Sequence, residues 1–394
     1  MNQHRETARE DTTDKPWVAH FHWSKTPQVG ICQEGIYRAM NPPNLSPRQH
    51  NTTADSCFRL DQVLVPTRAP WNIRITARLR RLPLIHASAG WNSWCDRLAA
   101  SRLLPHRGTF TYRRAGREYR IPFDARNAQF EAIHDPLYSK GYEPETSLLL
   151  ARLSAGPGCF FDVGANWGYF ALLVSAAPGF CGKIHAFEPN PVGRADLVRT
   201  VEAAGLEDSV TCHAMALSDV GGTANFSGGR NFRTGLAGLS KSRPGHSVAV
   251  QRLDDLALPS PTCMKIDVEG AEAAVLRGAE RVLRAARPHV LIENFLNRDD
   301  PEDTLEPLML LEAARYRLFV PALALRWQGA DVFTAYWTHI PSLLSTQPTP
   351  PIRLIPMRAT ERFLFGHHLN LFACAAERVT ALASIPGIQI GDAP

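Results

Sequence analysis

The sequence predicts an α/β protein: a mostly parallel sheet with helices on both faces, behind an irregular N-terminal extension. Two observations carry this. From residue 159 onward, short apolar runs alternate with helical stretches: CFFDVG then GYFALLVSAA, KIHAFEP then 192–204, and CMKIDVEG then AEAAVLRGAERVLRAA. Repeated βα units of that kind bury their apolar strands in a parallel sheet covered by helices. The first strand also ends in a glycine turn, DVGANWG, where ligands bind in such sheets.

The chain has 394 residues, of which 44% are hydrophobic and 21% charged. That is enough apolar material for a substantial core and too little charge for a disordered chain. Residues 1–70 are rich in Pro, Asn, Gln, Thr and His, include NPPNLSP, and read as an irregular or partly disordered extension. Residues 71–140 form an N-terminal segment with helical patterns at 72–104. In this segment TFTYRRAGREYRIPF alternates about Ala115-Gly116 as a β-hairpin. The sheet-bearing domain spans 141–385. It opens with a helix over GYEPETSLLLARL, whose start is polar and whose body has an apolar face.

Within that domain VTCHAMAL reads as a third strand, and TANF and SVAVQRLDDL hold further ones. AEAAVLRGAERVLRAA reads as one helix. HVLIENF is a strand, 301–314 a helix, YRLFVP a strand, and LNLFACA a last strand. Most crossovers should be right-handed.

Charge and cysteine usage exclude several classes. The formal net charge of +5 comes from scattered arginines rather than a basic stripe with aromatics, so nucleic-acid binding is not expected. The 8 cysteines include no C-x-x-C and no zinc spacing. A chain of this size needs no disulfide staples, so a reducing, cytoplasmic compartment is expected. The N-terminus lacks the apolar core of a signal peptide, and no run of about 18 apolar residues suggests a membrane span.

The candidate site begins at the glycine turn. Gly164 lets the chain turn sharply after Asp162. Ala165 and Asn166 follow, and Gly168 opens the helix, where free N–H groups suit a carboxylate. A dinucleotide fold would carry G-x-G-x-x-G; here Asn166 takes the middle position. The turn therefore suits a smaller ligand without a diphosphate, such as S-adenosylmethionine, although a turn serving only helix–strand packing fits equally well. Glu188 ends the second strand 20 positions after Gly168. An acid there can accept both hydroxyls of a ribose.

KIDVEGAE gathers Asp267, Glu269 and Glu272 at one strand-to-helix junction. The helix dipole alone explains Glu272. Asp267 should emerge at the catalytic edge, to orient a substrate hydroxyl, take its proton or meet the cofactor. Lys265 lies two residues earlier, on the same strand face, and can pair with it. Glu293 is a second candidate acid, and Asn294 and Asn297 are candidates for the acceptor pocket. The acids could hold a divalent cation with waters, but the ligand set is thin and no metal is expected. His185, His213 and His289 read as packed residues, and His367-His368 carries no assigned role. Arg230, Arg233, Lys241 and Arg243 lie on a loop-like stretch, 227–246, that with 321–365 is placed to shape specificity. Those cations would suit an anionic acceptor, though a solvated loop explains them as well.

DVGANWGYF, HAFEPNP, AMALSD, LDDL and KIDVEGAEAAVLRGA, in that order, resemble the FkbM-type methyltransferases. The match covers about 145–300, with weaker echoes in GYEPET and HLNLFACAAER. The resemblance implies a class I methyltransferase (Rossmann-like) fold that uses S-adenosyl-L-methionine. Asp162, Gly164, Asn166 and Gly168 would surround the methionine part, and Glu188 would hold the ribose. Ala216, Leu217 and nearby Ser218 or Asp219 would border the adenine, and Asp267 would lie beside the transferable methyl. Trp167 departs from the smaller residue usual there and is expected to face a neighbouring helix or the substrate side. The expected reaction is methyl transfer to a hydroxyl of a carbohydrate or small metabolite. A nicotinamide-dependent oxidoreductase and a non-catalytic binding module are the alternatives, and methylation of protein or nucleic acid is a weaker one. Oligomeric state is open.

Overall fold

The computed structural model describes residues 60–80, 94, 103–124, 142–227, 238–239, 246–323, 351–366 and 368–391. Its first elements are α1 (Leu60–Val63), β1 (Leu64–Arg68) and α2 (Trp71–Arg80), then the hairpin β2 (Arg107–Arg114) and β3 (Arg117–Asp124). The hairpin turns at Ala115-Gly116, both with positive φ. β1 pairs antiparallel with β2 into a three-stranded sheet. Residues 60–68, read as part of the irregular extension, are therefore ordered. Their composition hides this, because one strand beside a distant hairpin leaves no local period.

The main domain follows as α3 (Pro144–Leu153), β4 (Cys159–Val163), α4 (Tyr169–Ser175), β5 (Lys183–Phe187), α5 (Pro191–Ala203) and β6 (Val210–His213). A small four-stranded sheet comes next, from β7 (Met215–Leu217), β8 (Gly222–Ser227), β9 (Gly238–Leu239) and β10 (His246–Gln251), in the order β7-β10-β8-β9. The chain re-enters the main sheet with β11 (Cys263–Ile266), α6 (Glu272–Arg277), α7 (Glu280–Ala285), β12 (His289–Asn294), α8 (Pro301–Ala313) and β13 (Tyr316–Leu323). It ends with β14 (Ile352–Met357), β15 (Leu369–Ala375), α9 (Val379–Leu382) and β16 (Ile388–Ile390).

The nine-stranded main sheet runs β6-β5-β4-β11-β12-β15-β13-β14-β16. β6 through β12 are mutually parallel. β15 is inserted antiparallel between β12 and β13, and β14 pairs antiparallel with β13. This is a doubly wound, Rossmann-like arrangement with an antiparallel far side. Strand order reverses between β4 and β11, which makes the tip of β4 the topological switch point.

Alternate residues along the strands feed two cores. Phe160, Ile184, Leu291 and Phe372 meet α3, α4 and α5 on one face. Phe161, Met264, Ile292 and Leu371 meet α6, α7 and α8 on the other. The hairpin joins the first core through Phe110, Tyr112 and Ile121, and Tyr112 Oη lies 2.7 Å from Ser175 Oγ of α4. Trp167, expected to face a helix or the substrate, is 1% exposed and meets Phe110 of the hairpin edge-on, centroids 5.6 Å apart. Among the described residues no helix is long and apolar enough to cross a membrane.

Four local readings are corrected. VTCHAMAL is two strands: β6 pairs with β5, while β7 pairs with β10 in the small sheet. AEAAVLRGAERVLRAA is two short helices. They part at Gly278, where an added Cβ would sit 1.9 Å from the carbonyl oxygen of Ser218. β14 and β16 have no counterpart in the sequence reading. Strand direction on the far side was also not legible, since an apolar run does not report it.

Candidate active site

The turn after β4 is built by hydrogen bonds to the tip of β5. The N–H groups of Gly164 and Ala165 both donate to the Phe187 carbonyl at 3.0 Å. Gly164 has φ +85°, and a Cβ there would lie 1.7 Å from the Asp267 carbonyl oxygen. A glycine is thus required for β4 and β11 to approach at the switch point. Asn166 adopts φ +48°, which presents its N–H to Glu188 Oε2 at 2.7 Å. Gly168 is the N-cap of α4, and its N–H is bound by Ala165 O at 2.8 Å. The N–H groups of the turn itself are therefore engaged within the protein.

Glu188 sits 6% exposed just past β5, its Oε1 receiving the Asn190 N–H at 2.7 Å. Burial raises its pKa to about 7, against the pull of those two N–H groups. Each oxygen keeps acceptor capacity, so the group is a fixed double acceptor at the mouth of the switch point.

The second half of the site is a row of side chains on the α3/α4 face. Asp162 and Lys265 are register partners, as are Lys265 and Leu291. Two residues on, Asp267 and Glu293 follow at the tips of β11 and β12, and Glu293 pairs with Asn370 of β15. Lys265 is 1% exposed; its Nζ lies 2.7 Å from Asp267 Oδ2 and 4.5 Å from the centroid of Phe170. Burial opposes the Lys265 charge, but Asp267, Glu143 and Glu293 more than offset it and raise the pKa.

Asp267, 19% exposed on its side chain, is pushed up by burial. Lys265, and a hydrogen bond with Glu293, outweigh this and hold its pKa below the ordinary value. Glu293 is driven upward by burial and then by Asp267. Burial and the neighbouring acids raise Glu269 to about 8. One oxygen from each of Asp267, Glu269 and Glu293 lies within 4.8 Å of the others. These three are the groups that could share a cation, and Lys265 already supplies one positive charge beside them.

The row takes in the expected Asp162 and one residue beyond the expected set. Asp162 is 1% exposed; burial lifts its pKa to about 7, and Oδ2 has no hydrogen-bond partner among the described residues. Glu143, the left-handed N-cap of α3, faces the same group; burial raises its pKa while Lys265 opposes this, and its Oε2 is buried without a partner among the described residues. The sequence signal for it was GYEPET, read as a helix start and a weak echo of the family, with no role given to Glu143.

Other expectations divide. Glu272 caps the turn, accepting from Val268 N at 3.1 Å and Gly270 N at 3.2 Å. Ala216 belongs to a small core with Phe226, Val248 and Val250, and Leu217 to the α6, α7 and α8 core. Asp219 is turned to Arg277, 2.7 Å away. Asn294, expected in the acceptor pocket, is 2% exposed and donates to Thr304 O. Asn297 holds the turn before α8 by accepting from the N–H groups of Asp299 and Asp300, and Asp300 is the helix cap. Both therefore build the loop after β12.

Arg362, which the sequence did not single out, is fully buried and binds the side chain and main-chain carbonyl of Asn294. His368 accepts the Leu296 N–H on Nδ1 at 3.1 Å, so it too has a structural part. His185 and His213 pair at 3.0 Å as packed residues. His367, Arg230, Arg233, Lys241 and Arg243 lie outside the described residues, as does most of 321–365.

Residues 162–318 match the family model described as the methyltransferase FkbM domain. Similar solved structures include methyltransferase FkbM from Methylobacillus flagellatus KT. It is 20% identical, with 43% of this chain and 42% of that chain covered and a TM-score of 0.29. The present chain thus spans about two fifths of that protein's length. A precorrin-6y C5,15-methyltransferase from Geobacter metallireducens GS-15 is 13% identical over 59% of this chain and 88% of that one, with a TM-score of 0.32. TYW2 of M. jannaschii in complex with AdoMet is 12% identical over 67% and 84%, with a TM-score of 0.31. No curated protein matches the chain.

Proposed function

We propose that this chain, which carries a methyltransferase FkbM domain over residues 162–318, is an S-adenosylmethionine-dependent O-methyltransferase acting on a hydroxyl of a sugar or small metabolite. The observation that carries the reading is the buried Glu188 carboxylate, fixed by Asn166 and Asn190 N–H groups across from the Gly164 turn. It offers a double acceptor to a ribose, in a turn without the glycine a diphosphate needs. The buried unpartnered oxygens of Asp162 and Glu143 fit a cofactor that brings a positive charge and an ammonium donor.

When bound, S-adenosylmethionine supplies an electrophilic methyl group. The protein's own part is alignment and proton removal. Lys265 favours the ionised form of Asp267, and Glu293 hydrogen-bonds to it. An acceptor hydroxyl at Asp267 would give its proton to that carboxylate as its oxygen takes the methyl. Ala165, Gly168, Ala216 and Leu217 belong to the same reading as cofactor-side residues, contributing backbone and packing. A cytoplasmic setting accords with Cys159, Cys263 and Cys374, which are buried free thiols acting as small hydrophobes.

The test is methyl transfer from labelled S-adenosylmethionine to polyhydroxylated acceptors. Asp267→Asn is expected to lower turnover about 100-fold or more. Normal cofactor affinity with undiminished turnover would remove Asp267 from the mechanism.

A further inference from the structure

Asn370 of β15 lies directly across from Glu293 in the antiparallel register. Opposed residues of such a pair have Cβ atoms about 5 Å apart on one face. The tips of β11, β12 and β15 thus present Asp267, Glu293 and Asn370 as one row, and Asn370 is its end farthest from Glu188. The residue is half-buried, yet its Oδ1 is fully buried and has no hydrogen-bond partner among the described residues. A buried acceptor left unpaired is costly, and a ligand donor relieves it.

The charge of the surroundings narrows the donor. Asp267, Glu269, Glu293 and Glu143 converge here, and Lys265 is committed to Asp267. Phosphate or carboxylate on an acceptor would meet these carboxylates at close range, whereas a neutral hydroxyl can donate to any of these oxygens. This departs from the anionic acceptor that Arg230, Arg233, Lys241 and Arg243 suggested.

We propose that Asn370 is an acceptor-binding residue, and that the acceptor is a neutral polyol carrying neighbouring hydroxyls, one donating to Asn370 Oδ1 while the next faces Asp267 and Glu293. The inference rests on the methyltransferase reading and sets the substrate class for that site. The hydroxyl nearer Asp267 is the one methylated.

The experiment offers the full chain labelled S-adenosylmethionine with myo-inositol and methyl α-glucoside, and with glucose 6-phosphate and glucuronate as charged counterparts. Label should pass to a neutral polyol at a rate at least tenfold above either charged compound. Asn370→Ala should raise KM for that polyol about tenfold, leaving S-adenosylhomocysteine affinity and the thermal unfolding midpoint unchanged. Cofactor binding with preferred transfer to a charged compound, or with no transfer to any neutral polyol, overturns the proposal. So does an unchanged KM in Asn370→Ala. If native protein binds no S-adenosylhomocysteine, the methyltransferase reading itself fails, and that result is distinct from the others.

Discussion

Lys265 Nζ lies 2.7 Å from Asp267 Oδ2, and Lys265 is 1% exposed. The two residues are neighbours on one face of β11, and the ammonium closes against the Phe170 ring. The pair fixes the charge state of the site, since without the lysine three carboxyl groups crowd together with no cation among them.

Lys265→Met should therefore cost about 3 kcal/mol, the range for removing one partner of a buried pair, and should drive a proton onto Asp267. Urea unfolding at pH 7 measures the first effect. A loss under about 1 kcal/mol would show that the pair is solvated like a surface bridge.

Gly164→Ala should cost more than about 3 kcal/mol and abolish cofactor binding, because φ +85° and the Asp267 carbonyl at 1.7 Å both exclude a Cβ. Gly221→Ala is the control: its nearest contact would be 4.0 Å away, and a change within about 0.5 kcal/mol is expected. Equal effects at the two positions would contradict the close approach of β4 and β11.

Glu188 gives a pH signature. Its pKa is raised from 4.5 to about 7 in the folded chain. A raised carboxyl pKa contributes stability that is fully present below the unfolded value and lost as pH rises through the folded one. The stability of the native chain relative to Glu188→Gln should thus fall between pH 4.5 and 7, by up to about 1.4 kcal/mol per unit. Affinity for S-adenosylhomocysteine should move the other way and improve toward pH 8, as the acceptor ionises. Parallel stability curves for the two proteins would contradict the assignment.

Arg362→Lys should destabilise by about 2–4 kcal/mol. A lysine cannot reproduce the forked contacts to Asn294 and Phe365, and burial already lowers the arginine pKa to about 10. Because Asn294 follows Glu293, turnover should fall as well. A neutral outcome in chemical denaturation would show that the loop after β12 is held elsewhere.

The sequence made the parallel half of the sheet legible because each unit there is local: an apolar strand, a glycine or proline, a helix. Gly164, Glu188 and Asp267 stood out for the same reason, each ending a strand in the parallel core. The antiparallel far side was not legible, since the partner of β12 is β15, with α8, β13 and β14 between them in the chain. Asn370 was invisible for that reason. Inside LNLFACA it is one polar residue in an apolar strand, and only the register with Glu293 gives it a meaning. Glu143 was hidden by its helix-start context, and Arg362 by lying in a short 3₁₀ turn whose burial no local pattern announces.

The central claim, that a nucleoside with an amino-acid tail lies across the strand tips with its ribose on Glu188, is tested most directly by calorimetry. Native protein and Glu188→Ala would each be titrated with S-adenosylhomocysteine at pH 8. Micromolar binding to the native chain, weakened on the order of 100-fold in the variant, is the expected result. No heat of binding to native protein, or equal affinity in both, would contradict it.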